Sequence, residues 1–273
     1  MKRMVQIFFI ILVFSTQFVQ GQEGRQGSSF FLEQLFVRLL SSKEDAARIL
    51  INDSIRVFID NYSRSDTIFA HRFTNIRNLG QISYDNSRLK ILTWNLLLDS
   101  SESRYYCYFI HRSGKNNYVN KLESVYREEP IRTDITYTEK DWYGALYYDL
   151  REIKKEKETY WILLGIDYGN PSVSRKIIEA LSFTPEGGVI LGKKLFKSGD
   201  VTGYREVFEY SPEAVMSLKF ISGKSIVFDH LVPVKPALKG KKGFYAPDYS
   251  YDAYRLEKGI WRFESDIDVR NKR

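Results

Sequence analysis

His230 is the side chain around which chemistry would be built. It closes the apolar run Ile226-Val-Phe-Asp-His-Leu-Val-Pro233, and a glycine-containing stretch then leads to Tyr245-Ala-Pro-Asp-Tyr-Ser-Tyr-Asp252. An imidazole held by a carboxylate can take and return a proton near neutral pH, the task of a general base. The candidate catalytic set is therefore His230, Asp229, Asp248 and Asp252. Neighbours on a strand point to opposite faces, so Asp229 and His230 are not expected to pair with each other. The expected partner of His230 is Asp248 or Asp252. Two other readings of the same residues stay open. Asp248, Ser250 and Asp252 echo the first half of a calcium loop, but the glycine and the distal bidentate Glu are missing. Asp and Ser also cap turns through side-chain to backbone hydrogen bonds, which needs no ligand.

Other signatures are weaker. Cys107 is the only cysteine, which excludes an intramolecular disulfide, and its setting in Arg104-Tyr-Tyr-Cys-Tyr-Phe-Ile-His111 predicts a buried, inert thiol. His71, His111 and His230 lack the paired spacing of a zinc site, and His71 and His111 read as surface or hydrogen-bonded structural residues. Gly223-Lys224-Ser225 resembles the end of a phosphate loop but lacks the upstream glycine and reads as a hairpin turn. No dinucleotide fingerprint, GxSxG elbow or HExxH pair is present, and no cofactor is indicated. Two aromatic clusters, Trp142-Tyr143 with Tyr147-Tyr148 and Tyr105-Tyr106 with Tyr108-Phe109, suit the core and cross-strand pairs of a sheet better than a glycan groove.

The elements that would position these residues are strands preceded by two helices. Apolar residues recur at helical spacing over Phe30 to Leu40, with Ser28-Ser29 as a cap, and again over Lys43 to Tyr62, with Ser42 as a cap and Asp45 in the first turn. From about Thr67 the pattern changes to β-branched and aromatic runs: Lys90–Leu98, Arg104–Arg112, Trp142–Leu150, Thr159–Asp167, Tyr204–Tyr210, Val215–Ile221 and Ser225–His230. Their short connections, such as Asp99–Ser103, the charged Arg151–Glu158 and Ser222–Lys224, require antiparallel pairing. One further helix is expected over Val173–Leu181, a loop over Leu231–Asp248, and a last hairpin of Ala253–Glu257 with Ile260–Glu264 turning at Lys258-Gly259. The fold class is α+β: N-terminal helices (about 28–64) beside a large antiparallel β-sheet (about 67–266) that could curl toward a barrel, all in a single mature domain, 22–273.

The beginning of the chain carries an address. Lys2 and Arg3 precede an apolar run of ten residues, Val5–Phe14, and the segment turns polar toward Val19 and Gly21. That is the pattern of a cleavable signal peptide over residues 1–21 with Gln22 as the first mature residue. The apolar run is about half what a helix needs to cross a bilayer, so no transmembrane segment is expected after cleavage. The formal charge of +7 becomes +5 once Lys2 and Arg3 are removed, and mixed-sign surroundings of the basic clusters argue against a nucleic-acid partner. An outer-membrane barrel fits poorly with helices ahead of charged strands.

The segments Trp142-Tyr-Gly-Ala-Leu-Tyr-Tyr148, Leu163-Leu-Gly165, Phe208-Glu-Tyr-Ser211, Ile226-Val-Phe-Asp-His-Leu231 and Pro247-Asp-Tyr-Ser-Tyr-Asp252 resemble a family of uncharacterised secreted proteins of Bacteroidetes bacteria. The resemblance covers about the last half of the chain. It implies a Gram-negative cell envelope, periplasm or cell surface, and no reaction. The functional expectation is an exported soluble protein that binds or scaffolds an envelope protein or glycan, and it requires an exposed aromatic or apolar patch. The alternative is a secreted hydrolase using the carboxylates and His230 of the C-terminal loop region.

Overall fold

The computed structural model describes residues 29–65, 67–84, 88–99, 102–155 and 158–268. The signal peptide expected over 1–21 lies outside the described residues. The chain divides into two compact units, Met1–Asn78 and Leu79–Arg273.

The first unit contains two helices, α1 (described over 29–41) and α2 (Asp45–Ser63). In α1 the buried positions Leu32, Leu35, Phe36 and Leu39 follow the three-and-four spacing of one helical face. Ile55 and Ile59 do the same in α2, and Phe31 meets Phe58 at 5.7 Å between ring centroids. The caps differ from expectation. Ser29 is already helical, Ser28 lies outside the described residues, and Glu44 holds the cap position of α2 without a side-chain bond. Ser42 instead offers its carbonyl to Arg48 Nε at 2.9 Å, and Arg48 also pairs with Asp45 at 3.2 Å.

The second unit is built of strands in three sheets. The first is a meander of β1 (Gly80–Tyr84), β2 (Leu89–Leu96), β3 (Arg104–Ser113) and β4 (Asn116–Val125). The middle sheet contains β5 (Leu146–Lys155), β6 (Glu158–Asn170), β7 (Val173–Phe183), β8 (Val189–Leu191) and β11 (Arg205–Tyr210), in the order β11-β7-β6-β5 with β8 on the far end of β7. The third holds β9 (Phe196–Ser198), β10 (Val201–Gly203), β12 (Leu218–Ser222), β13 (Ser225–Pro233), β14 (Tyr245–Glu257) and β15 (Ile260–Glu264). All pairings are antiparallel except that of β15 with β9. The large sheet expected from sequence is thus three, and none closes on itself among the described residues.

The middle sheet is buried on both faces. Leu163, Ile177 and Leu181 join a core with Ile91, Tyr105 and Phe109 of the first sheet. The intervening Ile162, Leu164, Ile178 and Ala180 join a second core with Phe196, Ile226, Phe228 and Trp261 of the third. Alternation of side chains along a strand makes this division unavoidable once both faces are covered.

That burial explains the main correction. Val173–Leu181, expected as a helix, is β7. The clustered Ile177, Ile178, Ala180 and Leu181 look helical in sequence, yet they are what a strand between β6 and β11 needs when neither face meets water. Most of Arg151–Glu158, expected as a turn, is strand: β5 runs on to Lys155 as the edge of its sheet, with Ile153 buried and Lys154 and Lys155 exposed, and β6 starts at Glu158. The expected loop Leu231–Asp248 is shorter, since β13 continues to Pro233 and β14 starts at Tyr245. Pro247 is tolerated there because β15 pairs only with Ala253–Glu257 and leaves this part of β14 with one neighbour.

Candidate functional site

His230 and Asp252 sit on paired strands. The β13–β14 register runs Phe228↔Asp252 and Asp229↔Tyr251, then resumes at Leu231↔Pro247, so three residues of β14 bulge opposite His230 alone. The irregularity turns His230 Nδ1 to Asp252 Oδ2 at 2.7 Å. Asp252 is buried and its second oxygen accepts the Asp266 N–H at 3.0 Å, which fixes the carboxylate from both sides. Of the two carboxylates considered as partners for His230 in the sequence, Asp252 is the one that binds it.

The other candidates have separate tasks. Asp229 Oδ2 accepts the Ser217 N–H at 2.7 Å and its own N–H donates to Ser217 O at 3.1 Å, so it staples the approach to β12. Asp248 Oδ1 accepts the backbone N–H and the hydroxyl of Ser250 at 3.0 and 2.7 Å. These bonds, the hydroxyl first, lower the Asp248 pKa. The residue between them, Tyr249, has a φ of +72° and is 94 % exposed at the tip of the bulge. Asp248 is thus a turn former in this structure. Among the described residues no group of three or more His, Cys, Asp or Glu side chains is placed to share one ion.

The His230 pKa is raised, first by the hydrogen bond to Asp252, which outweighs the opposing effect of burial, and then by the charges of Asp252, Asp248 and Asp266. With Nδ1 committed to a carboxylate, the ring is oriented and Nε2 is the nitrogen that can exchange a proton with a ligand. The pair can therefore act as an acid or a base.

The other two histidines lie elsewhere. His111 is buried, stacked on Phe183 at 3.6 Å and Tyr118 at 5.1 Å, with Nε2 3.1 Å from Gly187 O, and burial lowers its pKa. His71 Nε2 lies 3.1 Å from Ser29 Oγ. Cys107 is fully buried and its thiol is pushed well above its ordinary pKa by desolvation, in accord with the inert reading. Tyr105, Phe109, Trp142 and Tyr147 of the aromatic clusters are core residues.

Sequence reasoning missed a buried ionic framework between the first and middle sheets. Glu179 of β7 accepts the hydroxyls of Tyr143 and Tyr147, each at 2.6 Å, and pairs with Arg205 Nε of β11 at 3.2 Å. Arg205 spends its remaining donors on the carbonyls of Arg132, Ile135 (2.9 Å) and Leu191 (3.1 Å), and its guanidinium lies 4.5 Å from the centre of the Tyr137 ring. Gly192 has a φ of +95°, and a Cβ there would sit 2.5 Å from Arg205 Nη2. Farther along β7, Arg175 pairs with Asp167 at 3.2 Å and Glu209 at 3.0 Å, and donates to the carbonyls of Arg127 and Glu128 at 3.4 Å. Asp167 also accepts the Tyr105 hydroxyl. Arg175 and Arg205 follow one design: each is neutralised by carboxylates and uses its other N–H groups to hold the connection 126–145 between β4 and β5. The one signal in the sequence was charge inside strand patterns, at Asp167 and Arg205, while Arg175 and Glu179 fell in the segment expected as a helix.

Compared with protein-family models, with curated proteins and with solved structures, the chain finds no match.

Proposed function

We propose that this chain is an exported protein of a Gram-negative cell envelope that binds or scaffolds a protein partner through its helical unit. The observation that carries the reading is the outer surface of α1 and α2. Phe30, Phe31, Val37, Leu40, Leu50 and Val57 are each more than half exposed. Phe30 and Val37 are seven residues apart, as are Leu50 and Val57, so each pair lines one side of its helix two turns apart. Single exposed apolar residues are ordinary on a protein surface, but repetition on two successive helices is the pattern of a surface meant to be covered. Export is supported by the basic start, short apolar run and small-residue end of residues 1–21. Among the described residues no helix is long and apolar enough to cross a membrane.

The test is photo-crosslinking from Leu50 in a Gram-negative host that produces the full chain. A discrete protein adduct in the envelope fraction, lost on Val57→Glu with the melting temperature unchanged, is expected. Retention of the full-length precursor in the cytoplasm, or labelling that Val57→Glu leaves intact, would overturn the reading.

A second reading, a secreted hydrolase, is favoured by one observation, the 2.7 Å contact that orients His230 on Asp252. It requires turnover of a glycan or peptide substrate that His230→Gln abolishes while the fold is kept.

A further inference from the structure

We propose that the cleft between the 130–133 segment, β11 and the 240–245 segment is a binding site for a small ligand carrying one carboxylate. The cleft is about 390 Å³, within the range of small-molecule sites, and lies in the second unit. Pro130, Ile131, Val207 and Tyr245 give it apolar wall, and Thr133, Glu209, Lys241 and Lys242 give it polar groups.

The walls are held before any ligand arrives. The connection 126–145 is twenty residues long with only the isolated bridge Tyr137↔Leu191, a length at which a structureless loop usually has a use. Arg205 fixes it at the carbonyls of Arg132 and Ile135, and Tyr204 N–H donates to Thr133 O at 2.8 Å. On the opposite side Ser211 N–H donates to Tyr245 O at 2.9 Å, and Gly243, with a φ of +71°, passes so close to Ser172 O that a Cβ would fall 2.2 Å from it. Gly240 N–H donates to the Tyr245 hydroxyl oxygen at 2.8 Å, which orients the ring and leaves the phenolic hydrogen to be donated. Preorganised donors lose little freedom on binding.

Charge selects the ligand. Glu209 is engaged by Arg175 at 3.0 Å and by Lys242 at 3.2 Å, so the only carboxylate in the lining is already neutralised. Lys241 has no carboxylate within ion-pair distance among the described residues, and with Lys242 against Glu209 the lining carries one net positive charge. A monoanion completes that balance. Lys241 would meet the carboxylate as a point charge, the Tyr245 and Thr133 hydroxyls would donate to or accept from neighbouring polar groups, and the apolar wall would take the carbon skeleton.

A carboxylate of this size can come from an acidic sugar or from an acidic residue of a peptide. Calorimetric titration of the full chain at low ionic strength uses D-galacturonate against D-galactose, and N-acetylglutamate amide against N-acetylglutamine amide. One acid is expected to bind at least about tenfold more tightly than its neutral counterpart, and to weaken with added salt. Which acid binds identifies the source. Lys241→Met should cost at least about tenfold in affinity with the melting temperature unchanged, and Lys241→Arg should restore most of it. Neutral compounds binding as well as the acids, no binding by either acid at millimolar concentration, inorganic phosphate binding as tightly, or an unaffected Lys241→Met variant would each overturn the proposal.

Discussion

Glu179 and Arg205 are register partners on β7 and β11, 3.2 Å apart between Oε2 and Nε, and neither side chain has any exposure to solvent. A pair this deep is weak evidence of net stabilisation, since both ions lose their hydration on folding. Its effect is directional. Glu179 holds the guanidinium in one plane, and the guanidinium then holds the carbonyls of Arg132 and Ile135, in a segment that has no ladder of its own, together with that of Leu191 at the end of β8. Removing one partner strands the other charge. Arg205→Met should therefore destabilise the chain by about 3–5 kcal/mol, measured by urea unfolding, and raise hydrogen exchange through 132–137. Adding Glu179→Leu to Arg205→Met should recover part of that loss, the recovery being limited by the Tyr143 and Tyr147 hydroxyls that lose their acceptor. Additive losses would show that the two residues act independently.

The His230–Asp252 pair should be visible in an NMR titration. The ring is held above the ordinary imidazole value of 6.5 by its carboxylate, so Asp252→Asn should bring the midpoint down toward 6.5. A raised histidine lends its stability below the unfolded value and loses it as pH rises through the folded one. With the side chain 40 % exposed the effect on stability is small. An unchanged midpoint in the variant would remove the assigned cause.

His111 has the opposite sign. Burial lowers its pKa, so its neutral form contributes fully above 6.5, and that contribution is lost as pH falls from 6.5 through the folded value. Thermal melts between pH 7.5 and 5 should show a decline in the parent chain that is shallower in His111→Gln, whatever the absolute cost of that change. Parallel slopes would mean that another group governs the acid limb.

Leu163 lies at the contact of the middle sheet with the first, with no exposure. Leu163→Ala should cost about 2–5 kcal/mol in equilibrium unfolding, the range for cavity-forming changes. Lys154→Ala, on the exposed end of the same sheet's edge strand, should stay within about 0.5 kcal/mol of the parent. A small loss for Leu163→Ala would mean that this core tolerates a void or refills it.

Much of the architecture was legible where local pattern and final environment agree. The stretches behind β2, β3, β6, β11, β13 and β15 alternate or are bounded by turns, and the Lys258-Gly259 hairpin lies where its residues require it, with φ of +51° and +82°. The two largest failures share one cause. β7 and the end of β5 take their state from neighbouring strands, and propensity at Val173–Leu181 could not reveal that both faces would be covered. The candidate pair His230–Asp252 was accessible because strand alternation excluded Asp229 and left two partners. The ionic framework was not, because burial of Glu179 and Arg205 depends on residues 26 positions apart meeting across β7 and β11.

The parallel pairing of β15 with β9 sets an order of events for a chain that emerges from its N-terminus. Phe196 finds its register partner in Trp261, and β10 reaches the rest of the third sheet only through β9. Until residues 260–264 arrive, the β9–β10 hairpin has an open edge and the core around Phe196 lacks one of its largest side chains, Trp261. Completion of that sheet waits on contacts distant in sequence, which form late and slowly. A chain arranged in this way can complete its first two sheets early but closes its third only after its last hairpin has been made.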